Sequence, residues 1–230
     1  MEQRDEVIFS EVSLTCSPEN FSKRAALKLH NKPPNLGIMM PKQLMDHSPS
    51  DFDLNPSYFI QNSDQRALIE ASVLVPIIKH RELTVLLTKR TDHLPKHAGQ
   101  ISFPGGKNDP SDKDPVVTAL REAEEEIGLN KVYVEPLGFL DTYHTVTGYS
   151  VTPVVAFLNA ESSFFPNPDE VSELFEVPLA FLMDPNNLEV HSQNFMGQTR
   201  NFYAFSYKNY YIWGATAGIL KNMYEKIFCT

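Results

Sequence analysis

Residues 114–128 constrain this chain more than any other stretch. Asp114 followed by Pro115 is a helix start, because Asp accepts a free backbone N–H and Pro supplies helical φ where no N–H is needed. Gly128 supplies the left-handed residue that stops a helix. A helix from about Pro115 to Ile127 follows. Along it Val116, Leu120, Ala123 and Ile127 recur at three- and four-residue steps and form the expected buried stripe. Glu122, Glu125 and Glu126 stand at i, i+3 and i+4 and gather three carboxylates on another face, which Glu124 does not share.

That grouping is electrostatically poor. Like charges at this spacing repel, and the C-terminal end of a helix disfavours each anion by ~0.3 to 1 kcal/mol. A cation should compensate. Arg121 offsets part of the charge, and hard oxygen ligands beside the Gly105-Gly106 turn suit Mg²⁺ or Mn²⁺. Taken alone, the acids read more readily as a solvated helix face, which is the commoner case.

With 29 acids against 20 bases the chain carries a net charge of -9, which argues against non-specific binding to nucleic acid or to an anionic membrane. An anionic substrate therefore needs a cation or a local basic patch. Lys89, Arg90, His93, Lys96 and His97 supply such a patch directly upstream of the acidic helix; the two histidines read equally as plain loop residues. Gly105-Gly106-Lys107 is not a phosphate-binding P-loop, since no glycine stands four residues earlier and Asn108 replaces the required Ser or Thr.

The ordered combination of Gly-Gly, a spaced acid and Arg121-Glu122-Ala123-Glu124-Glu125-Glu126-Ile127-Gly128-Leu129 resembles the signature of the Nudix hydrolases. The second half agrees at every defined position. The first half departs: five residues after Gly106 stands Asp112 where the family has Glu, and eight residues rather than seven then lead to Arg121. The resemblance implies that Glu122, Glu125 and Glu126 are metal ligands for Mg²⁺ or Mn²⁺, that Arg121 orients them, and that a carboxylate of the helix or of a later loop activates water. A later acid could complete the metal shell; Glu170 and Glu173 are the candidates, although both read more readily as surface charge.

Upstream, Leu86, Leu87, Thr88, Arg90, Gly99 and the Phe-Pro-Gly-Gly of 103–106 resemble the accessory motif of the coenzyme A pyrophosphatase branch. Thr91 replaces a small residue of that motif, and Pro95 stands where Arg is expected, with Lys96 beside it. The resemblance implies hydrolysis of coenzyme A or acyl-coenzyme A to 3′,5′-ADP and 4′-phosphopantetheine or its acyl form. Lys89, Arg90, Lys96, His97, Gly105 and Gly106 would then contact the substrate. Tyr143, His144 and Tyr149 fall in a hydroxyl- and aromatic-rich stretch that looks like another part of the same branch. Two alternatives stay open: a Nudix pyrophosphohydrolase of another nucleoside diphosphate derivative, and a catalytically silent nucleotide-sensing module.

At 230 residues and 42% hydrophobic content, one domain with an extension is expected. Residues 1–65 are rich in Pro, Asn, Ser and Asp and read as the extension, with a short helix within 21–29. Residues 66–230 read as the catalytic domain, opening with a hairpin of 71–78 and 83–88. A short strand at 101–103, strands near 132–140, 151–158, 200–207 and 210–213, a short helix at 179–183 and a last helix at 215–227 complete the list. The fold expected from strands interleaved with few helices, together with the resemblance, is a Nudix-type α/β/α sandwich with a mixed sheet. Cys16 and Cys229 read as ordinary reduced thiols, and no basic start with an apolar run behind it is present, so a cytoplasmic protein is expected. The sequence leaves the oligomeric state open.

Overall fold

The computed structural model describes residues 16–34, 48–56, 68–94, 97–195 and 197–229. Helix α1 (Pro18–Lys28) comes first, then strands β1 (Ile69–Ile78), β2 (Thr84–Arg90), β3 (Ile101–Ser102) and β4 (Gly105–Lys107). Helix α2 (Pro115–Ile127) is followed by β5 (Val134–Phe139), β6 (Tyr143–His144), β7 (Tyr149–Leu158) and β8 (Val171–Pro178). The short helix α3 (Leu179–Leu182), strands β9 (Glu189–Phe195), β10 (Gln198–Tyr207) and β11 (Tyr210–Trp213), and helix α4 (Ala215–Phe228) close the chain.

Eight strands form one mixed sheet in the order β3-β2-β1-β7-β5, with β4 on β1, β6 on β7 and β8 on β2. β1 and β7 run parallel over ten paired residues, from Ile69 opposite Tyr149 to Ile78 opposite Leu158. A second sheet has the order β11-β10-β9. Because side chains alternate along a strand, β1 feeds two cores. Leu74 and Ile78 join Leu86, Val154, Ala156 and Leu158 beneath α2, whereas Val75 and Ile77 join Leu87, Val155 and Phe157 on the face that α1, α4 and the second sheet cover. The helix-sheet-helix layering agrees with the expected α/β sandwich. No helix among the described residues is long and apolar enough to cross a membrane.

Several local expectations shift. The Pro-Gly-Gly segment is not a turn: Gly105–Lys107 is a strand, paired antiparallel with β1 through Ser72 opposite Gly106. The buried stripe of α2 is centred on Ala119, Ala123 and Ile127, with Val116 and Leu120 at its edge, and Glu126 is buried as well. β6, β8 and β9 are strands beyond those the sequence suggested.

Two described segments that precede β1 pack on the sheets and on α4. Ser17 caps α1, and Phe21, wholly buried, lies 5.7 Å from the Phe157 ring and 6.2 Å from that of Phe228. The Arg24 guanidinium donates to the Ile227 carbonyl at 3.3 Å. Farther on, the Asp51 carboxylate accepts from the Tyr143 hydroxyl at 2.8 Å and from the Val146 N–H at 2.9 Å. The Asn55 side chain donates to the Asn201 carbonyl and accepts from its N–H, so one amide copies a strand pairing.

Phe21→Ala should therefore cost about 3 to 5 kcal/mol of unfolding free energy, the range for truncating a buried Phe. Urea denaturation measures it, and a loss under ~1 kcal/mol would mean that α1 is not part of the core.

Candidate active site

The site is built where α2 crosses β4. Asp114 accepts from the N–H groups of Val116 and Val117 and starts the helix; Gly128, at φ 63°, ends it. Small residues at Ala119 and Ala123 seat the helix on the sheet, and Glu122 and Glu126, each one residue before a member of the buried stripe, then lie over the glycines of β4. A Cβ at Gly105 would stand 2.5 Å from the Ser72 carbonyl oxygen and 2.6 Å from the Val73 Cα, and a Cβ at Gly106 would occupy the space of the Glu122 carboxylate. Backbone and acid approach so closely because both positions lack side chains.

Glu126 is 5% exposed. Burial raises its pKa to about 7; the charges of Glu170 and Glu122 push the same way, while the Gly105 N–H at 3.2 Å and the Arg90 guanidinium at 3.8 Å pull it down. Burial also raises Glu122, with Arg121 opposing and Glu125 and Glu170 adding repulsion. Glu170 is thus a third acid of this locus, supplied from outside the helix. Its backbone is pinned by the Thr91 N–H donating to its carbonyl and by its own N–H donating to Asn167. The sequence named Glu170 and Glu173 alike; Glu173 instead accepts from the Tyr210 hydroxyl.

Glu125 stays at the rim, where Arg121 reaches it at 3.3 Å. The Arg121 guanidinium also donates to Glu122 at 2.9 Å, to Asp112 at 3.0 Å and to the Lys107 carbonyl at 3.3 Å. Asp112, the residue that departs from the signature, accepts from Thr118 as well, at 2.8 Å. Its bond with Arg121 holds its carboxyl below the usual carboxylate range. The altered acid therefore ties the preceding loop to the helix through Arg121.

Of the described residues of the basic patch, the structure brings Arg90 to the acids and sets Lys89 on the opposite face of the sheet. Leu86 packs beneath α2 and Leu87 on the other side, so alternation puts Arg90 on the α2 face of β2 and Lys89 on the opposite one. Arg90 Nε is buried without a hydrogen-bond partner. His97 is exposed and bonds Gln100 at 2.6 Å. Pro95 and Lys96 lie outside the described residues. Tyr143 and His144 are buried, the first bonded to Asp51.

Glu122 and Glu126, whose carboxyls are pushed up by burial and further by neighbouring acids, are hard oxygen donors and fit a divalent cation. Among the described residues no three acidic, histidine or cysteine side chains already converge on a common point, and Arg121 and Arg90 carry the compensation instead.

Gly106→Ala should melt within a few degrees of the parent, since the flexible Glu122 can yield, but bind Mn²⁺ at least about tenfold more weakly by calorimetry. Gly105→Ala, which meets backbone, should lower the melting temperature itself. A second outcome concerns pH. Burial holds the His144 imidazole down to about 4 from an ordinary 6.5, and neither ring nitrogen has a partner. Between those values the unfolded chain binds a proton that the folded one refuses, so stability falls as pH falls. At pH 5 the loss is roughly 2 kcal/mol. His144→Leu should remove this part of the slope, read from urea midpoints at neutral pH and at pH 5; an unchanged slope would place the acid sensitivity elsewhere.

Comparison with known proteins identifies the family. The family model described as NUDIX domain matches residues 69–197. Relatives named "Uncharacterized Nudix hydrolase NudL", from Yersinia pestis (strain Pestoides F) and Yersinia pseudotuberculosis, are 41% identical over 177 residues, covering 76% of this chain and 85% of theirs. Among solved structures, a C. elegans Ap4A hydrolase binary complex aligns at TM-score 0.42 and 24% identity over 47% of this chain and 80% of its own. The Nudix domain of Shewanella oneidensis NrtR, complexed with ADP ribose, aligns at TM-score 0.39 and 23% identity over 55% and 85%. The family model and the relatives together establish that this chain belongs to the Nudix hydrolases.

Proposed function

We propose that this Nudix hydrolase cleaves the diphosphate of coenzyme A or acyl-coenzyme A, releasing 3′,5′-ADP and 4′-phosphopantetheine or its acyl form. The observation that carries the reading is the placement of Arg90, part of the Leu86-Leu87-Thr88-x-Arg90 motif, on the same face as Glu126 and 3.8 Å from it. A guanidinium there suits a substrate phosphate beside the acids.

Glu122 and Glu126, with Glu125 at the rim, are the residues proposed to hold Mg²⁺ or Mn²⁺. Bound there, such an ion lowers the pKa of water and neutralises diphosphate oxygens. Arg121, fixed by Asp112 and the Lys107 carbonyl, sets the Glu122 and Glu125 carboxylates. Arg90 binds a diphosphate oxygen. Glu170, standing beside Glu122 and Glu126 but rooted in another segment, takes the proton of the attacking water. The new P–O bond forms as the bridging oxygen departs with the electron pair, leaving two phosphate monoesters.

The deciding experiment identifies the products of coenzyme A incubated with the protein and Mn²⁺. The two named monoesters are expected, and turnover of dephospho-coenzyme A at an equal rate would move the substrate to another nucleoside diphosphate derivative. Absence of any phosphate-ester product across a panel of such derivatives would favour a silent sensing module. Glu122→Gln and Glu126→Gln should each lower kcat by about 10² to 10³-fold with the fold intact. Glu170→Gln should lower kcat at constant KM, and Glu173→Gln should leave both unchanged.

A further inference from the structure

We propose that the open edge of β9 is a dimer interface, at which two copies of this chain pair their β9 strands antiparallel about Ser192 and join two three-stranded sheets into one of six. β9 is the outer strand of its sheet, and among the described residues nothing pairs with its outer side. Phe195 and Gln198 pair across two intervening residues. Residues that flank so short a connection exchange both backbone hydrogen bonds, and the pattern alternates from there. Glu189, His191, Gln193 and Phe195 therefore bond β10, while Val190, Ser192 and Asn194 direct their N–H and C=O groups to the open edge.

Exposed edges are ordinarily protected by lysine, proline, a bulge or brevity. Over seven residues β9 reads Glu-Val-His-Ser-Gln-Asn-Phe, without lysine or proline, and its register with β10 is unbroken. Val190 is 55% exposed and Phe195 49%. In a chain of net charge -9, most surfaces repel a second copy, yet this edge carries one acid, Glu189, at its end.

A second copy fits better than an unrelated strand because the edge complements itself. Pairing about Ser192 sets the outward groups of Val190 against those of the partner's Asn194, and Ser192 against its own copy. It also lays Glu189, which His191 of its own strand holds at 2.6 Å, opposite the partner's Phe195, over whose ring the Arg200 guanidinium sits at 4.3 Å. The acid of each copy so meets the cation of the other, twice, as a two-fold contact requires. A slip of two residues in either direction loses both meetings.

The proposal is independent of the substrate. Sedimentation equilibrium of the full chain should give twice the 26.1 kDa chain mass. Ser192→Pro removes an N–H that its own sheet does not use, and should give a monomer with unchanged turnover; Val190→Lys, which leaves the backbone intact, should do the same. In a Cys229→Ser background, Ser192→Cys should cross-link two copies on oxidation, because facing Cα atoms at about 5.5 Å fall within disulfide range. Asn194→Cys, which faces Val190, should not. A parent that is monomeric at every concentration would overturn the proposal, and so would a dimer that survives Val190→Lys or that Ser192→Cys fails to cross-link.

Discussion

One buried and one half-buried carboxylate at the C-terminal end of a helix set the terms for everything around them. Glu122 and Glu126 lie against Gly105 and Gly106, where neither position has a side chain to hold them off. The helix end and the loss of water both work against their charge. Arg121, Arg90 and the Gly105 N–H offset it, and each of these needs a scaffold of its own. Arg121 leans on Asp112 and the Lys107 carbonyl; Arg90 sits at the end of β2; β4 depends on β1 for its backbone partners. The apolar underside of α2, with alanines at 119 and 123, holds the acids over the strand.

The limits of α2 were legible because caps are local: Asp114, Pro115 and Gly128 act through the few residues beside them. What the acids face was not, since helical periodicity sorts residues onto faces without saying what lies opposite. Gly105–Lys107 looked like a turn because glycine weakens a strand's own signal, and its hydrogen bonds come from β1, some thirty residues earlier. In β8 the alternation is interrupted at Ser172, where the register against β2 shifts. β9 shows little apolar alternation because most of it faces solvent. The charge pattern in the sequence grouped Lys89 with Arg90 as substrate contacts, whereas alternation along β2 puts them on opposite faces of the sheet. The use of Asp112 required seeing that Thr118 and Arg121 both turn toward it.

The aromatic contacts of α1 have a bearing on when the molecule can be finished. Arg24 and Ile227 meet across 203 residues of sequence, and Phe21 lies between Phe157 and Phe228. A contact of that span is formed late, since the loop it closes must first be ordered. On a ribosome, α1 emerges long before the surface it docks on exists. Until α4 has left the exit tunnel, Phe21 has no pocket, and its ring is an exposed apolar group awaiting either its own chain or a chaperone.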